Sequence, residues 1–97
     1  MSTYITLFRW TQGGVEKVKE SPARVDAARE LFRQFGAELK AFYAVMGQYD
    51  AVIVSEAPDD ETMAKINLAA GSKGAVRSET LRAFTEEEYR KIISALP

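Results

Sequence analysis

The first third of the chain alternates apolar and polar positions in a way that predicts one strand followed by one helix. From Thr3 to Trp10 the residues are mainly β-branched or aromatic, which favours a strand. Polar and glycine residues at 11–14 end this pattern, and a short charged connection follows. Ser21 and Pro22 are typical of a helix N-cap and first helical position, and Gly36 predicts the end of that helix. Its apolar residues recur at three- and four-residue steps: Val25, Ala28, Phe32 and Phe35.

The middle of the chain predicts a hairpin and then a second helix. Two apolar runs, 38–46 and 50–56, lie on either side of Gly47 and Gln48, which indicates strand, tight turn and strand. Pro58 ends the second run. The acidic residues that follow suit the positive end of a helix dipole, and apolar residues then continue at helical spacing: Met63, Ile66 and Ala70.

The last quarter predicts a fourth strand and a C-terminal helix. Residues 76–84 alternate in the manner of a strand after a glycine-containing loop. Thr85 and Glu88 have the spacing of a capping box. The helix that follows carries an apolar stripe: Tyr89, Ile92, Ile93 and Leu96.

This order of elements is that of an α+β, ferredoxin-like split βαβ domain: a four-stranded antiparallel sheet with two helices on one face, plus a C-terminal helix. Strand alternation makes both sheet faces apolar. In the first strand Ile5 and Leu7 oppose Tyr4, Phe8 and Trp10. In the second we expect two opposed sets, Leu39, Tyr43 and Val45 against Phe42, Ala44 and Met46.

Two helices cover one face, so the other face, with several aromatic residues, would be an exposed apolar patch. We therefore expect that face to pack against the same face of a second copy, forming at least a homodimer. The alternative is that the C-terminal helix covers part of it.

Composition narrows the possible chemistry. The 97 residues, 46% of them hydrophobic, suit a single domain over residues 1–97. Thirteen basic and fourteen acidic residues give a net charge of -1, so no nucleic-acid partner is expected. The sequence has no cysteine and no histidine, which excludes thiolate nucleophiles, cysteine zinc sites and imidazole ligation of metal or haem. We expect no cofactor and no metal.

The start of the chain lacks the basic and apolar segments of a signal peptide. Its longest apolar runs are far shorter than the roughly 20 residues that span a bilayer. The expectation is a cytoplasmic protein with no membrane partner.

Several spaced motifs resemble the GYD-domain family. The central turn reads Gly47, Gln48, Tyr49, Asp50, the next strand ends in Glu56, Ala57, Pro58, and the last strand contains Thr80, Leu81, Arg82, Ala83, Phe84. The resemblance runs from about Tyr4 to Tyr89. It implies the dimeric α/β barrel version of the ferredoxin-like fold, in which two sheets face each other. It implies no particular activity, because related dimeric barrels include cofactor-free monooxygenases, haem-handling proteins and small stress-responsive domains.

The residues that carry candidate chemistry lie in three groups. In the turn, Tyr49 and Asp50 offer a phenol donor and a carboxylate acceptor for orienting a ligand or moving a proton, although Gly47 and Asp50 also suit a purely structural turn. A second group is aromatic and suits either packing or an apolar cavity with a tyrosine hydroxyl: Tyr4, Phe8, Trp10, Phe42 and Tyr43. A third group suits either the binding of a carboxylate or an enolate-like oxyanion or surface ion pairs with Glu38, Glu56 or Glu79. It consists of Arg24, Arg77 and Arg82.

Two functions are compatible with these residues. The first is a small oligomeric binding or assembly module of unknown role. The second is a cofactor-independent, monooxygenase-like enzyme acting on a small organic molecule in a pocket between sheet and helices. The candidate ligand-binding residues are Tyr49, Asp50, Tyr43, Arg82 and Trp10.

Overall fold

A computed structural model describes all 97 residues, from Met1 to Pro97. The strands are β1 (Ser2–Trp10), β2 (Glu38–Ala44), β3 (Ala51–Ala57) and β4 (Val76–Ala83). The helices are α1 (Gln12–Glu16), α2 (Ser21–Gln34), α3 (Asp60–Gly71) and α4 (Glu86–Ser94), and a 3₁₀ turn, Val18–Glu20, joins α1 to α2. None of these helices is both long enough and apolar enough to cross a membrane.

The four strands form one sheet in the order β2-β3-β1-β4, with antiparallel pairing at every junction. Strands β1 and β3 are central. Strand β2 pairs with β3 at one edge of the sheet, and β4 pairs with β1 at the other edge. This topology confirms the predicted ferredoxin-like fold.

Helices α2 and α3 pack on one face of the sheet and form the core with it. On β1, Tyr4, Thr6 and Phe8 are buried on this side. They pair in register with Ser55, Ile53 and Ala51 of β3, which are also buried. The helices contribute the remaining large core side chains: Phe32 from α2, and Met63 and Ile66 from α3.

The predicted alternation in β2 is wrong, because this strand contains a bulge. Leu39 pairs with Ser55 and Ala41 with Val54, so β2 advances two residues while β3 advances one. A bulge shifts the phase of the side chains that follow it. Leu39 therefore lies in the core on the same side as Phe42, opposite Tyr43.

The expected aromatic content of the uncovered face is also wrong. Tyr4, Phe8, Trp10 and Phe42 belong to the core on the helix side. Tyr43 alone among the strand aromatics lies on the other side, where it is 59% exposed. The uncovered face is consequently aliphatic apart from Tyr43.

The predicted charged connection after β1 is instead helical. Thr11 caps α1: its Oγ1 accepts a hydrogen bond from the Gly14 backbone N–H at 3.1 Å. Its own N–H and hydroxyl donate to the carbonyls of Ala75 (3.0 Å) and Gly74 (2.6 Å). These bonds fasten α1 to the start of β4. Helix α2 then begins at Ser21 itself, without a side-chain cap.

The other predicted helix ends are confirmed. Gly36 has a φ of 72°, and the N–H groups of Gly36 and Ala37 donate to the carbonyls of Arg33 and Phe32, which is a Schellman motif. Asp59 caps α3 by accepting from Thr62 N–H at 2.8 Å. Hydrogen bonding with Thr62, first with its side chain and then with its backbone N–H, lowers the pKa of Asp59.

Both hydrogen bonds of the Thr85–Glu88 capping box are present at the start of α4: each residue's backbone N–H donates to the side chain of the other. The backbone N–H of Thr85 lowers the pKa of Glu88.

Helix α4 projects from the rest of the chain. None of its residues is buried, and it makes few contacts with any other element. Its apolar residues are between 44% and 60% exposed: Tyr89, Ile92, Ile93 and Leu96. The alternative in which this helix covers the second face of the sheet is therefore not what the chain adopts.

The close approach of α1 to β4 yields a stability prediction. A Cβ at Gly14 would lie 2.1 Å from the Ala75 carbonyl oxygen, whereas a Cβ at Gly13 would meet nothing closer than 3.8 Å. Both residues lie in α1 and gain equally in helix propensity from alanine. We expect Gly14→Ala to lower the free energy of unfolding by about 1–3 kcal/mol, while Gly13→Ala leaves it unchanged or raises it. Urea unfolding of the two variants measures this difference, and equal midpoints would contradict the packing described here.

Candidate functional site

Asp50 fastens the hairpin between β2 and β3 to the end of β1. Its Oδ2 accepts a hydrogen bond from the Trp10 backbone N–H at 2.9 Å, and its own N–H donates to the Phe8 carbonyl at 2.9 Å. Its carbonyl accepts from Val45 N–H at 3.0 Å, which closes the hairpin. The carboxylate thus binds the backbone of β1, and Asp50 does not line the cavity between the sheet and the helices.

Tyr49 is held by side chains at the end of the sheet. Its hydroxyl donates to Glu79 Oε2 at 3.0 Å, a bond that raises the pKa of Tyr49. The Arg9 guanidinium lies 4.8 Å from the centre of the tyrosine ring, and Arg9 Nε donates to the Gln48 carbonyl at 2.7 Å. This cluster anchors the hairpin loop to β1 and β4.

Arg82 is occupied by backbone and aromatic rings near Tyr4. Its guanidinium lies 5.6 Å from the Tyr4 ring centre and 4.6 Å from that of Phe84. It donates to the carbonyls of Thr3, at 3.3 Å, and Ala83. The Tyr4 hydroxyl donates to Asp60 Oδ1 at 2.5 Å, and burial, followed by this carboxylate, raises the pKa of Tyr4.

The structure therefore distributes the five candidate residues over several places. Tyr49 and Asp50 lie at one end of the sheet, Tyr43 lies on its uncovered side, and Arg82 packs near the start of β1. Of the five, only Trp10 lines the cavity between the sheet and helices α2 and α3. None of the three candidate arginines forms an ion pair: Arg24, Arg77 and Arg82. Glu38 and Glu56 instead lie 3.6 and 3.8 Å from Lys40 Nζ.

The first surface available for binding is the side of the sheet that no helix covers, here called the open face. Strand register places six large apolar residues there: Ile5, Leu7, Tyr43, Val52, Val54 and Leu81. Charged residues occupy positions around them on the same side: Arg9, Glu56, Arg77 and Glu79. An apolar centre with a charged rim is the usual anatomy of a protein–protein interface.

The second available space is a cavity of about 150 Å³ between the sheet and helices α2 and α3, here called the helix-side cavity. Fourteen of its twenty lining residues are hydrophobic. Trp10, Phe32, Phe42 and Ile66 form much of its wall. Two cationic residues, Arg24 and Lys73, also line it, and no acidic residue does. No group of acidic side chains in the chain is placed to hold a metal ion.

Sequence reasoning named Trp10 and Arg24 but missed Lys73 and the cavity itself. Lys73 belongs to the loop between Gly71 and Gly74, and no pattern connects it to Arg24. The sequence feature that could have revealed the cavity is the set of small residues in α2 and α3. Alanines of α2 and α3 that line the cavity leave space that larger side chains would fill: Ala27, Ala28 and Ala70.

Comparison with known proteins places the chain in a family. The profile of the GYD domain matches residues 4–93. The chain belongs to the GYD domain family. The resemblance found in its turn and strand motifs is thereby confirmed.

The chain is similar in sequence to a protein of Thermus thermophilus whose name states what that protein binds. The "glutamine synthetase and cystathionine beta-lyase binding protein" of Thermus thermophilus is 42% identical over 85 residues. The alignment covers 87% of this chain and 90% of that protein. The likeness therefore extends over nearly the whole domain.

Solved structures agree with this fold. A crystal structure of a Thermus thermophilus protein aligns with a TM-score of 0.56 and 26% identity, over 88% of this chain and 95% of that one. The leucine response regulatory protein of Mycobacterium tuberculosis aligns with a TM-score of 0.57 over 87% of this chain and 51% of its own. At 12% identity, the second likeness shows the fold alone.

The bonds of Asp50 predict a structural role for this residue of the GYD domain. Asp50→Ala would leave the half-buried N–H of Trp10 without its acceptor, and we expect a loss of about 1–3 kcal/mol in the free energy of unfolding. Asp50→Asn keeps an acceptor oxygen and should lose less. Gln48→Ala, in the same loop, removes a side chain without hydrogen bonds and serves as the control. Chemical unfolding tests the order, and an alanine variant as stable as the wild type would refute the role.

Proposed function

We propose that this GYD domain is a small binding module that pairs with a second copy of itself and, as a pair, binds an enzyme of amino-acid metabolism. The observation that carries the proposal is that the fold leaves two apolar surfaces without a partner. These are the open face and the apolar stripe of α4. Monomeric proteins rarely expose contiguous apolar patches of this kind.

Self-association fits the open face because that surface extends over all four strands. Strands of seven to nine residues make it about 26 Å long and about 19 Å wide. Two such faces stack readily, since sheets pack face to face about 10 Å apart. The two-fold arrangement would bury Ile5, Val52 and Val54 against their own copies.

Helix α4 fits the same assembly. The open face alone supplies about 500 Å² by these dimensions, less than the roughly 800 Å² per partner of a standard interface. A nine-residue helix is also marginal without tertiary packing. Packing the stripe of α4 against the second copy would enlarge the interface and stabilise the helix.

The enzyme partner is suggested by the relative from Thermus thermophilus. Its name says that it binds glutamine synthetase and cystathionine beta-lyase, and it is 42% identical to this chain. We infer that this chain binds an enzyme of the same kind.

The enzymatic alternative has less support. It required polar groups facing a pocket between the sheet and the helices. That pocket exists, but Tyr43, Tyr49, Asp50 and Arg82 do not line it. A binding module is the function that the arrangement supports better.

A charge at the centre of the open face tests the pairing. Val54 lies between Ile5 and Ala41 in register, so Val54→Glu places a carboxylate at the middle of the proposed interface. We expect the dimer dissociation constant to rise at least about a hundredfold, since an unpaired buried charge costs several kcal/mol. Sedimentation equilibrium measures this.

Leu68→Glu is the matched control, because Leu68 is 75% exposed on α3, away from the open face. It should leave the dimer intact. A wild-type protein that is monomeric at about 100 μM, far above a micromolar dissociation constant, would refute the proposed pairing.

The second test addresses the enzyme partner. Purified glutamine synthetase and cystathionine beta-lyase from the organism of this chain are titrated by biolayer interferometry. We expect saturable binding of at least one by the wild type and by Leu68→Glu, and binding at least about tenfold weaker by Val54→Glu, because a monomer loses bivalent attachment. Binding to neither enzyme would refute this partner class and leave self-association standing.

A further inference from the structure

We propose that the helix-side cavity binds a small organic carboxylate whose apolar part is about the size of one aromatic ring. Nothing in the family relationship assigns a ligand to this place. The proposal rests on the volume, the lining and the charge of the cavity.

The volume and the lining define the apolar part of the ligand. A cavity of about 150 Å³ matches the size that accommodates a benzene molecule in protein interiors. Its wall is built from Trp10, Phe32, Phe42 and Ile66, which offer aromatic and aliphatic contact on several sides. A single ring or a short branched chain would fill it.

The cavity opens to solvent at one part of its lining. Ala27, Lys73 and Ser78 line it and are exposed, whereas Phe8, Phe32 and Ile66 are buried at its inner part. A ligand can therefore place its apolar part inside and its polar group at the mouth.

The charge of the lining defines that polar group. Arg24 and Lys73 line the cavity, and neither forms an ion pair anywhere in the chain. None of the fourteen acidic residues of the sequence is among the lining residues. In a chain of net charge -1, this concentrates two uncompensated cations at one cavity. An anion would neutralise them.

Arg24 is held in position before any ligand binds. Its Nη1 donates to the Lys17 carbonyl and its Nη2 to the Gly14 carbonyl, each at 3.2 Å. These bonds use two of the five guanidinium N–H groups and leave others free to donate to a carboxylate. A side chain that is already ordered loses little entropy on binding.

Lys73 lies in the connection between α3 and β4. It follows the end of α3, and its backbone N–H donates to the Ala70 carbonyl at 3.3 Å, while Ala70 itself lines the cavity. Its ammonium has no carboxylate partner. Arg24 and Lys73 thus line the cavity from α2 and from the α3–β4 connection, and the proposed carboxylate lies beside them.

This site is separate from the proposed assembly. The helix-side cavity and the open face lie on opposite sides of the sheet. The ligand proposal can therefore fail while self-association holds, and the reverse is equally possible.

Trp10 provides the measurement, because it is the one tryptophan of the sequence and it lines the cavity. Phenylacetate is titrated into the full chain while tryptophan fluorescence is recorded. We expect a saturable change with a dissociation constant below about 1 mM, the range for a ligand of this few atoms. Benzyl alcohol lacks the charge, and acetate and inorganic phosphate lack the ring. Each should bind at least about tenfold more weakly, the effect of losing one such contribution.

Variants assign the binding to the two cations. We expect Lys73→Gln and Arg24→Gln each to weaken phenylacetate about tenfold. Lys65→Gln, on α3 and outside the lining, should leave binding unchanged. Ala28→Leu should abolish it by filling the cavity. Because Arg24→Gln also removes two backbone bonds, its folding is checked by circular dichroism, and Lys73→Gln provides the independent test.

Four results would overturn the proposal. The first is the absence of a saturable change with phenylacetate. The second is equal binding of benzyl alcohol, which would show an apolar cavity without anion selectivity, and the third is equal weakening by Lys65→Gln and Lys73→Gln. Tighter binding of inorganic phosphate than of phenylacetate would assign the two cations to a phosphate instead.

Discussion

The packing of α2 and α3 against a single face of the sheet determines what the rest of the molecule can do. It encloses the aromatic residues of β1 with Phe32, Met63 and Ile66 in one core. It also leaves the opposite side of every strand without cover. Since β1 is hydrogen-bonded on both edges, by β3 and β4, its alternate residues are fixed toward one side or the other. Phe8 thus lies in the core, and Leu7 on the open face.

The same packing produces the helix-side cavity. Small residues on the inner sides of α2 and α3, among them Ala28 and Ala70, support the helices on the sheet without filling the space between them. Protein interiors are normally close-packed, and a void forfeits dispersion contacts along its whole wall. A ligand of matching shape would restore those contacts. The free energy available for binding at this site therefore comes from the space that the side chains of the protein leave unfilled.

Much of the fold could be predicted from the sequence because its signals are local. The Schellman end at Gly36, the cap at Asp59 and the capping box of Thr85 and Glu88 each depend on residues within a few positions of one another. The bulge between Leu39 and Ala41 could not be predicted in this way. It depends on how β2 meets β3 and leaves no composition signal at the bulged position.

The candidate site was less predictable, because it depends on which residues the fold brings together. Tyr49 and Asp50 have the chemistry of a binding site, but their partners turn out to be Glu79 and the backbone of Trp10, both distant in sequence. Arg24 and Lys73 reach one cavity from separate elements, which no spacing within the chain indicates. Residue type therefore identified what each side chain can do, and tertiary contacts decided whether it remained free to do it.

Asp50 links the two sides of the sheet in one further respect. By binding the backbone of Phe8 and Trp10, it fixes the end of β1 where the strand contributes Trp10 to the helix-side cavity and Arg9 to the rim of the open face. A binding module benefits from such rigidity, because surfaces that are ordered beforehand lose less entropy when a partner binds. In the proposed binding function, Asp50 would then act by ordering the scaffold on both sides of the sheet.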